Sequence, residues 1–320
     1  MGRLTRLLDA ALDRSVVLSF DRTGFERHAK DFVAADLDVD LRGKTVLITG
    51  ANAGLGRAAA HALHALGATI ILACRDAGRG EAARAELGVR AELEQVDVSS
   101  LTSVRALATR LAARPIDVLV HNAGALVDTH TRTPEGLELT WATHVVGPWL
   151  LTQLLTPTLT VGARVIWVSS GGMYTQRLDL ERLRHPSPSG FDGVVQYAQA
   201  KRAQLILAAQ LATRLAAQQV VVNAMHPGWA DTGGVRSSLP RFFAVTRAIL
   251  RSPAQGADTI VWLAASARAG QTTGQLWFDR RVVPAHLWSR TEELPGDRAR
   301  LWDACAEDAA RSLEGDFRPA

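Results

Sequence analysis

From residue 44 onward the chain alternates short β-branched runs with longer Ala- and Leu-rich stretches, and this alternation leaves few folds open. The runs are TVLIT (45–49), TIILA (69–73), AELEQV (91–96), DVLVH (117–121), RVIWVS (164–169), VVVNAM (220–225) and QLWF (275–278). Stretches with helical spacing fit between them, at 55–66, 77–87, 100–113, 135–156, 194–217 and 253–266. Strands separated by helices run parallel, and strands apolar on both faces need helices on both sides. The expectation is a single α/β domain, doubly wound around a mostly parallel seven-stranded sheet. It spans 42–285, with a helical extension at 1–41 and a tail at 286–320. Two Pro-, Gly- and Ser-rich segments interrupt the alternation within 171–193 and 228–252, and they read as loops over a site.

Composition removes several function classes. A net charge of +4 and a pI near 9.6 raise the question of nucleic acid. The excess Arg is dispersed, however, without a basic run or aromatic–basic alternation, so nucleic acid is not the expected partner. Cys74 and Cys305 have no pairing or metal spacing, which suits a reducing, cytoplasmic setting. The histidines show no metal-binding motif, and no metal is expected; His61 and His64 read as one helix face. No apolar run is long enough for a transmembrane segment, and no signal peptide is visible. Residues 3–19 place Leu4, Leu7, Leu8, Ala11, Leu12 and Val16 at helical spacing. That amphipathic helix can pack on the protein, on a second subunit or on a membrane surface, so peripheral membrane contact stays open.

The first strand runs into TGANAGLGR, with Gly50, Gly54 and Gly56 opening a helix. Glycines at such a turn let the backbone approach a pyrophosphate, and the helix N-terminus supplies N–H donors. The second strand ends in LACRD, where an NAD-binding site needs an acid for the ribose 2′-hydroxyl. Arg75 stands there instead and suits a 2′-phosphate, with Arg57 as a helper. Asp76 follows immediately and weakens the inference. NADP(H) is favoured over NAD(H). Far downstream, VVQYAQAKRAQ holds Tyr197 and Lys201, in a chain with 2 Tyr and only three lysines. On a helix, residues four apart share a face, so phenol and ammonium can converge.

The spacing T-G-x-x-x-G-x-G, followed in order by QVDVSS, HNAG, VIWVSSGG, Tyr-x-x-x-Lys and HPGWADT, resembles the short-chain dehydrogenase/reductase family over residues 42 to about 280. The resemblance implies a Rossmann fold and hydride transfer between a nicotinamide cofactor and a small-molecule carbonyl or alcohol. It implies a cofactor cradle of Gly50, Asn52, Gly54, Leu55, Gly56 and Arg57, with Arg75 at the ribose and Asp97 and Val98 at the adenine. Asn122, Ala123 and Gly124 follow, then Pro227, Gly228 and Thr232 near the nicotinamide amide. It casts Tyr197 as general acid/base, Lys201 as the cation that lowers its pKa and binds the nicotinamide ribose, and Ser170 as a hydrogen-bonding partner of the substrate oxygen. Family members often pair through the helices corresponding to 135–156 and 194–217, so a homo-oligomer is expected, with Trp141 and Trp149 open between an interface and the core.

One position departs from the family pattern. Members carry an Asn before a hydrophobic–hydrophobic–Gly step, where it anchors a water leading to the active-site Lys. Aligning TWATHVVGPWLLT on Gly147 puts His144 there. Imidazole can donate, accept and relay protons, so His144 joins the expected catalytic set. The same substitution motivates an alternative, a nucleotide-binding redox sensor or scaffold with little turnover. The apolar stretch from GWADTGG to RFFAVTRAIL points to a lipophilic substrate.

Overall fold

The computed structural model describes residues 16–233, 236 and 240–314; most of the amphipathic stretch 3–19 lies outside them. The described chain opens with two short helices, α1 (Val16–Phe20) and α2 (Arg22–His28), the second capped by Asp21, whose carboxylate accepts the Gly24 N–H at 2.8 Å. The strands are β1 (Thr45–Thr49), β2 (Thr69–Cys74), β3 (Ala91–Gln95), β4 (Ile116–His121), β5 (Leu159–Val168), β6 (Val221–Met225), β7 (Leu276–Phe278) and β8 (Arg281–Val283). They form one eight-stranded sheet in the order β3-β2-β1-β4-β5-β6-β7-β8. All neighbours pair in parallel except β7 with β8.

The eighth strand is an addition to the seven expected. β7 and β8 are joined by Asp279 and Arg280, both at positive φ (47° and 60°), as a two-residue hairpin turn demands. Such turns are usually written Asn-Gly or Asp-Gly, and Asp-Arg gives no sequence signal.

Burial follows the strand period. Val46 and Ile48 face one helical layer and Leu47 faces the other, and all three are fully buried. The first layer holds α3 (Gly54–Ala65), followed in the chain by α4 (Ala77–Leu87). The second begins with α5 (Leu101–Arg110). The stretch read as a helix over 135–156 starts only at Leu139, because Gly136 turns the chain at φ 81° and Glu138 caps the new helix by accepting the Trp141 N–H at 2.8 Å. It comprises α6 (Leu139–Trp141), a wider π-turn over Ala142–Val146, and α7 (Gly147–Leu155). Within the loops over the site lie α8 (Leu180–Arg184) and, after the long α9 (Gly193–Arg214), α10 (Pro240–Thr246). The helix α11 (Pro253–Ala265) completes the first layer.

The region read as a tail carries α12 (Asp297–Glu314), which packs against the second layer. Trp302 meets Trp149 edge-on at 5.3 Å, and Asp308 accepts the Trp141 indole N–H at 2.8 Å. Both tryptophans are therefore buried within the chain itself, at 0% and 6% exposure for Trp141 and Trp149.

Candidate active site

The strand order reverses between β1 and β4, and their C-terminal ends open the crevice in which such sheets bind ligands. Gly50 and Gly54 adopt φ of 68° and 53°, in the left-handed region that favours glycine. A side chain on Gly50 would sit 2.9 Å from the Ala123 Cα, and one on Gly56 would sit 2.4 Å from Asn122 Nδ2. Asn122 explains that closeness: its Nδ2 donates to the Thr49 and Gly50 carbonyls at 2.9 and 3.2 Å. Thr49, which sequence reasoning missed, accepts the Asn122 and Ala123 N–H groups on its hydroxyl, each at 3.0 Å. Ala53 gives α3 no side-chain cap, so the first-turn N–H groups remain available to an anion. This cradle fits a pyrophosphate. The Leu55 side chain packs against Gly256 of α11, and Val98 turns its carbonyl against Gly147.

At the end of β2 Arg75 is 72% exposed, with its nearest ion-pair partner, the Asp97 carboxylate, 4.0 Å away. Asp97 is itself engaged by the Ser99 N–H and hydroxyl at 2.9 and 2.6 Å. Asp76 caps α4, accepting the Arg79 N–H at 2.8 Å, and this bond holds its carboxyl below the usual range. The acid that clouded the sequence reading is thus occupied as a cap. Arg57 is occupied too, gripped by Glu86 at 2.6 and 2.9 Å, and His61 shares the same carboxylate at 3.1 Å. Arg75 thus stands exposed at the end of β2, whereas Arg57 is held by Glu86.

Ser170 lies two residues beyond β5, and Tyr197 and Lys201 stand one turn apart on α9. The three converge: the Ser170 hydroxyl is near enough to act on the Tyr197 phenol, and Lys201 Nζ is 5.3 Å from the Tyr197 ring centroid. Desolvation pushes the phenol up to about 12, with the Ser170 hydroxyl acting in the opposite direction. Burial pulls the Lys201 ammonium down to about 7.

His144 sits in the π-turn with its ring edge-on to Tyr197, 5.1 Å between centroids. Its Nε2 lies 2.7 Å from the Ala125 carbonyl and 3.3 Å from the Ala125 N–H, while Nδ1 is buried without a partner. Burial, aided by the Lys201 charge, drives the imidazole down to about 3. Gly124 admits this ring, since a Cβ there would meet His144 Cε1 at 2.5 Å. The neutral side chain meets the segment after β4, and the His144 backbone carbonyl accepts Gln204 Nε2 at 2.8 Å.

The loop after β6 turns at Gly228 (φ 70°) and brings Thr232 over Gly54, where a Cβ would come within 3.3 Å of its Cγ2. Behind it stands a residue the motifs never indicated. Phe20 of α1 packs on His226, Phe278 and Trp229 at 4.7, 5.1 and 6.3 Å, and its ring fills the space that a side chain on Gly171 would need. Arg251, fully buried, donates to the Ser19 and Phe20 carbonyls at 2.8 and 2.9 Å and pairs with both oxygens of Asp279 at 2.6 and 2.8 Å. His28 Nδ1 contacts the same Asp279 at 2.6 Å. The N-terminal segment is therefore the rear wall of the site. No sequence pattern signals it, because its partners lie about 150 or more positions away.

A family model for the short chain dehydrogenases matches residues 44–178. Dehydrogenase/reductase SDR family member 12 of Bos taurus is 39% identical over 303 residues, covering 91% of this chain and 94% of the relative. The chain belongs to the short-chain dehydrogenase family of oxidoreductases. Retinol dehydrogenase 14 of Mus musculus is 34% identical over 292 residues, covering 80% of this chain and 87% of that one. Among solved structures, an uncharacterised protein from Mycobacterium paratuberculosis superimposes with a TM-score of 0.70 at 30% identity, covering 87% and 97% of the two chains. A blue fluorescent protein from a metagenomic library, solved in complex with NADPH, gives 0.59 at 28% identity over 74% and 96%.

Proposed function

We propose that this chain is an NADP(H)-dependent oxidoreductase that interconverts a lipophilic carbonyl and its alcohol. The observation that carries the reading is the convergence of Ser170, Tyr197 and Lys201 beside the uncapped N-terminus of α3. When bound, the nicotinamide supplies or accepts the hydride. The protein's own groups handle the proton and the charge. A phenol held near 12 keeps its proton at neutral pH, which suits donation to the alkoxide that develops as a carbonyl is reduced. The Ser170 hydroxyl shares the substrate oxygen with Tyr197 and fixes its position. Lys201 has two N–H groups engaged by Val168 and Gln204, leaving one for a ribose hydroxyl.

Arg75 supports NADP(H) over NAD(H), since its guanidinium is exposed and Asp76 is spent on the α4 cap. The lipophilic substrate class rests on the apolar segment around α10 and on similarity to a retinol dehydrogenase. Among the described residues no helix is long and apolar enough to cross a membrane. A homo-oligomer has to form away from the part of the second layer that α12 covers.

The test is nucleotide binding followed by fluorescence, on wild type and on Arg75→Ala, before any substrate is chosen. The expected result is tight NADPH binding, weaker NADH binding, and loss of the preference in the variant. Binding of neither nucleotide by wild type overturns the proposal. A preference for NADH would overturn the cofactor assignment alone.

A further inference from the structure

Lys201 is 3% exposed, and its ammonium is held by two acceptors, the Val168 carbonyl at 2.8 Å and Gln204 Oε1 at 3.1 Å. Gln204, 1% exposed, lies one turn further along α9. Its Nε2 donates in turn to the His144 carbonyl at 2.8 Å. The reason this carbonyl needs a donor is written in the sequence. In an α-helix the carbonyl of residue 144 takes the N–H of residue 148, and residue 148 is proline, which has none. The chain widens into the π-turn over Ala142–Val146 at the same place. With Nε2 committed to the carbonyl, the amide has one orientation, and Oε1 faces Lys201.

We propose that Gln204 is a positioning residue, which suspends the Lys201 ammonium from the π-turn, fixes its place beside Tyr197 and favours its charged form. The inference deepens the reading above and rests on Lys201 acting there. The titratable groups around Lys201 are Tyr197, from its own helix, and His144, from the π-turn, both uncharged at neutral pH. Val168 and Gln204 supply the compensating acceptors among the described residues. A buried ammonium deprived of one of them loses a charge-assisted bond.

The chain has only three lysines, Lys30, Lys44 and Lys201, so the ammonium can be titrated directly by NMR on protein labelled at the lysine side chains. A hydrogen bond to a charged group and the free energy of one pKa unit are similar in size, so Gln204→Leu should move the Lys201 midpoint down by about one pH unit. Gln204→Glu should move it up by a similar amount, because the added carboxylate favours the ammonium. Opposite shifts in the two variants establish the role. A midpoint unchanged in both, whatever the loss in melting temperature, overturns it and leaves Gln204 a packing residue. Should the Leu variant fail to fold, the Glu variant decides by the same criterion. The readout needs no substrate, so absence of turnover would count against the proposed function while the titration still judged Gln204. With turnover, the alkaline limb of the kcat profile should follow the two midpoints, with KM for the carbonyl little changed.

Discussion

Three buried histidines make a sharp prediction about acid. His121, His144 and His226 are each at most 2% exposed, and burial drives each down to about 3, against an unfolded value near 6.5. Above pH 6.5 both states are neutral at these sites and nothing is lost. As pH falls from 6.5 toward 3 the unfolded chain takes up protons that the folded chain refuses, so stability declines throughout that window. At pH 5.5 the cost is RT ln(1 + 10) per histidine, about 1.4 kcal/mol, hence about 4 kcal/mol for three. Against a typical domain stability of ~5–15 kcal/mol this is decisive, and unfolding should set in near pH 5. His64 and His286, more exposed, act in the same sense to a smaller extent. The assay is urea unfolding followed by tryptophan fluorescence between pH 7.5 and 5, with the slope of stability against pH giving the proton count. His226→Phe tests the assignment, since His226 stacks on Phe278 at 4.1 Å and 12°, and a phenyl ring preserves that stack. The count should fall from about three to about two. A wild-type count of one or fewer, or a variant indistinguishable from wild type, would refute the reasoning.

Two further predictions concern packing. Gly56→Ala places a methyl 2.4 Å from Asn122 Nδ2 and should weaken NADPH binding at least tenfold, about 1.4 kcal/mol, while circular dichroism stays native. Asp308→Ala removes the partner of Arg184, at 2.8 Å, and of the Trp141 indole; a loss of about 3 kcal/mol is expected in chemical denaturation, and a loss below about 1 would show that α12 docks by its apolar face alone.

The parallel core was legible because most of its strands are short β-branched runs and each crossover a longer stretch with helical spacing; β1, β2 and β4 fall within a residue of their expected bounds. The glycine turn and the Tyr197–Lys201 pair were legible because local spacing alone brings their atoms together. What escaped depends on distance. The hairpin to β8 needs an Asp-Arg turn that local preference disfavours, and α12 read as a tail because its apolar face shows only against α7. The His144 position shows the limit most clearly. The sequence draws attention to its side chain, whereas the bond from Gln204 to its backbone carbonyl, which Pro148 cannot reach with an N–H, shows only in the structure.

Arg251 also dictates an order of events during synthesis. The carbonyls of Ser19 and Phe20 meet their buried guanidinium only after about 230 further residues have been made, and Asp279 must follow before that cation is neutralised. The first described helix of the chain thus completes its contacts only once nearly the last strand has been made, and the wall behind Ser170 needs both ends of the chain.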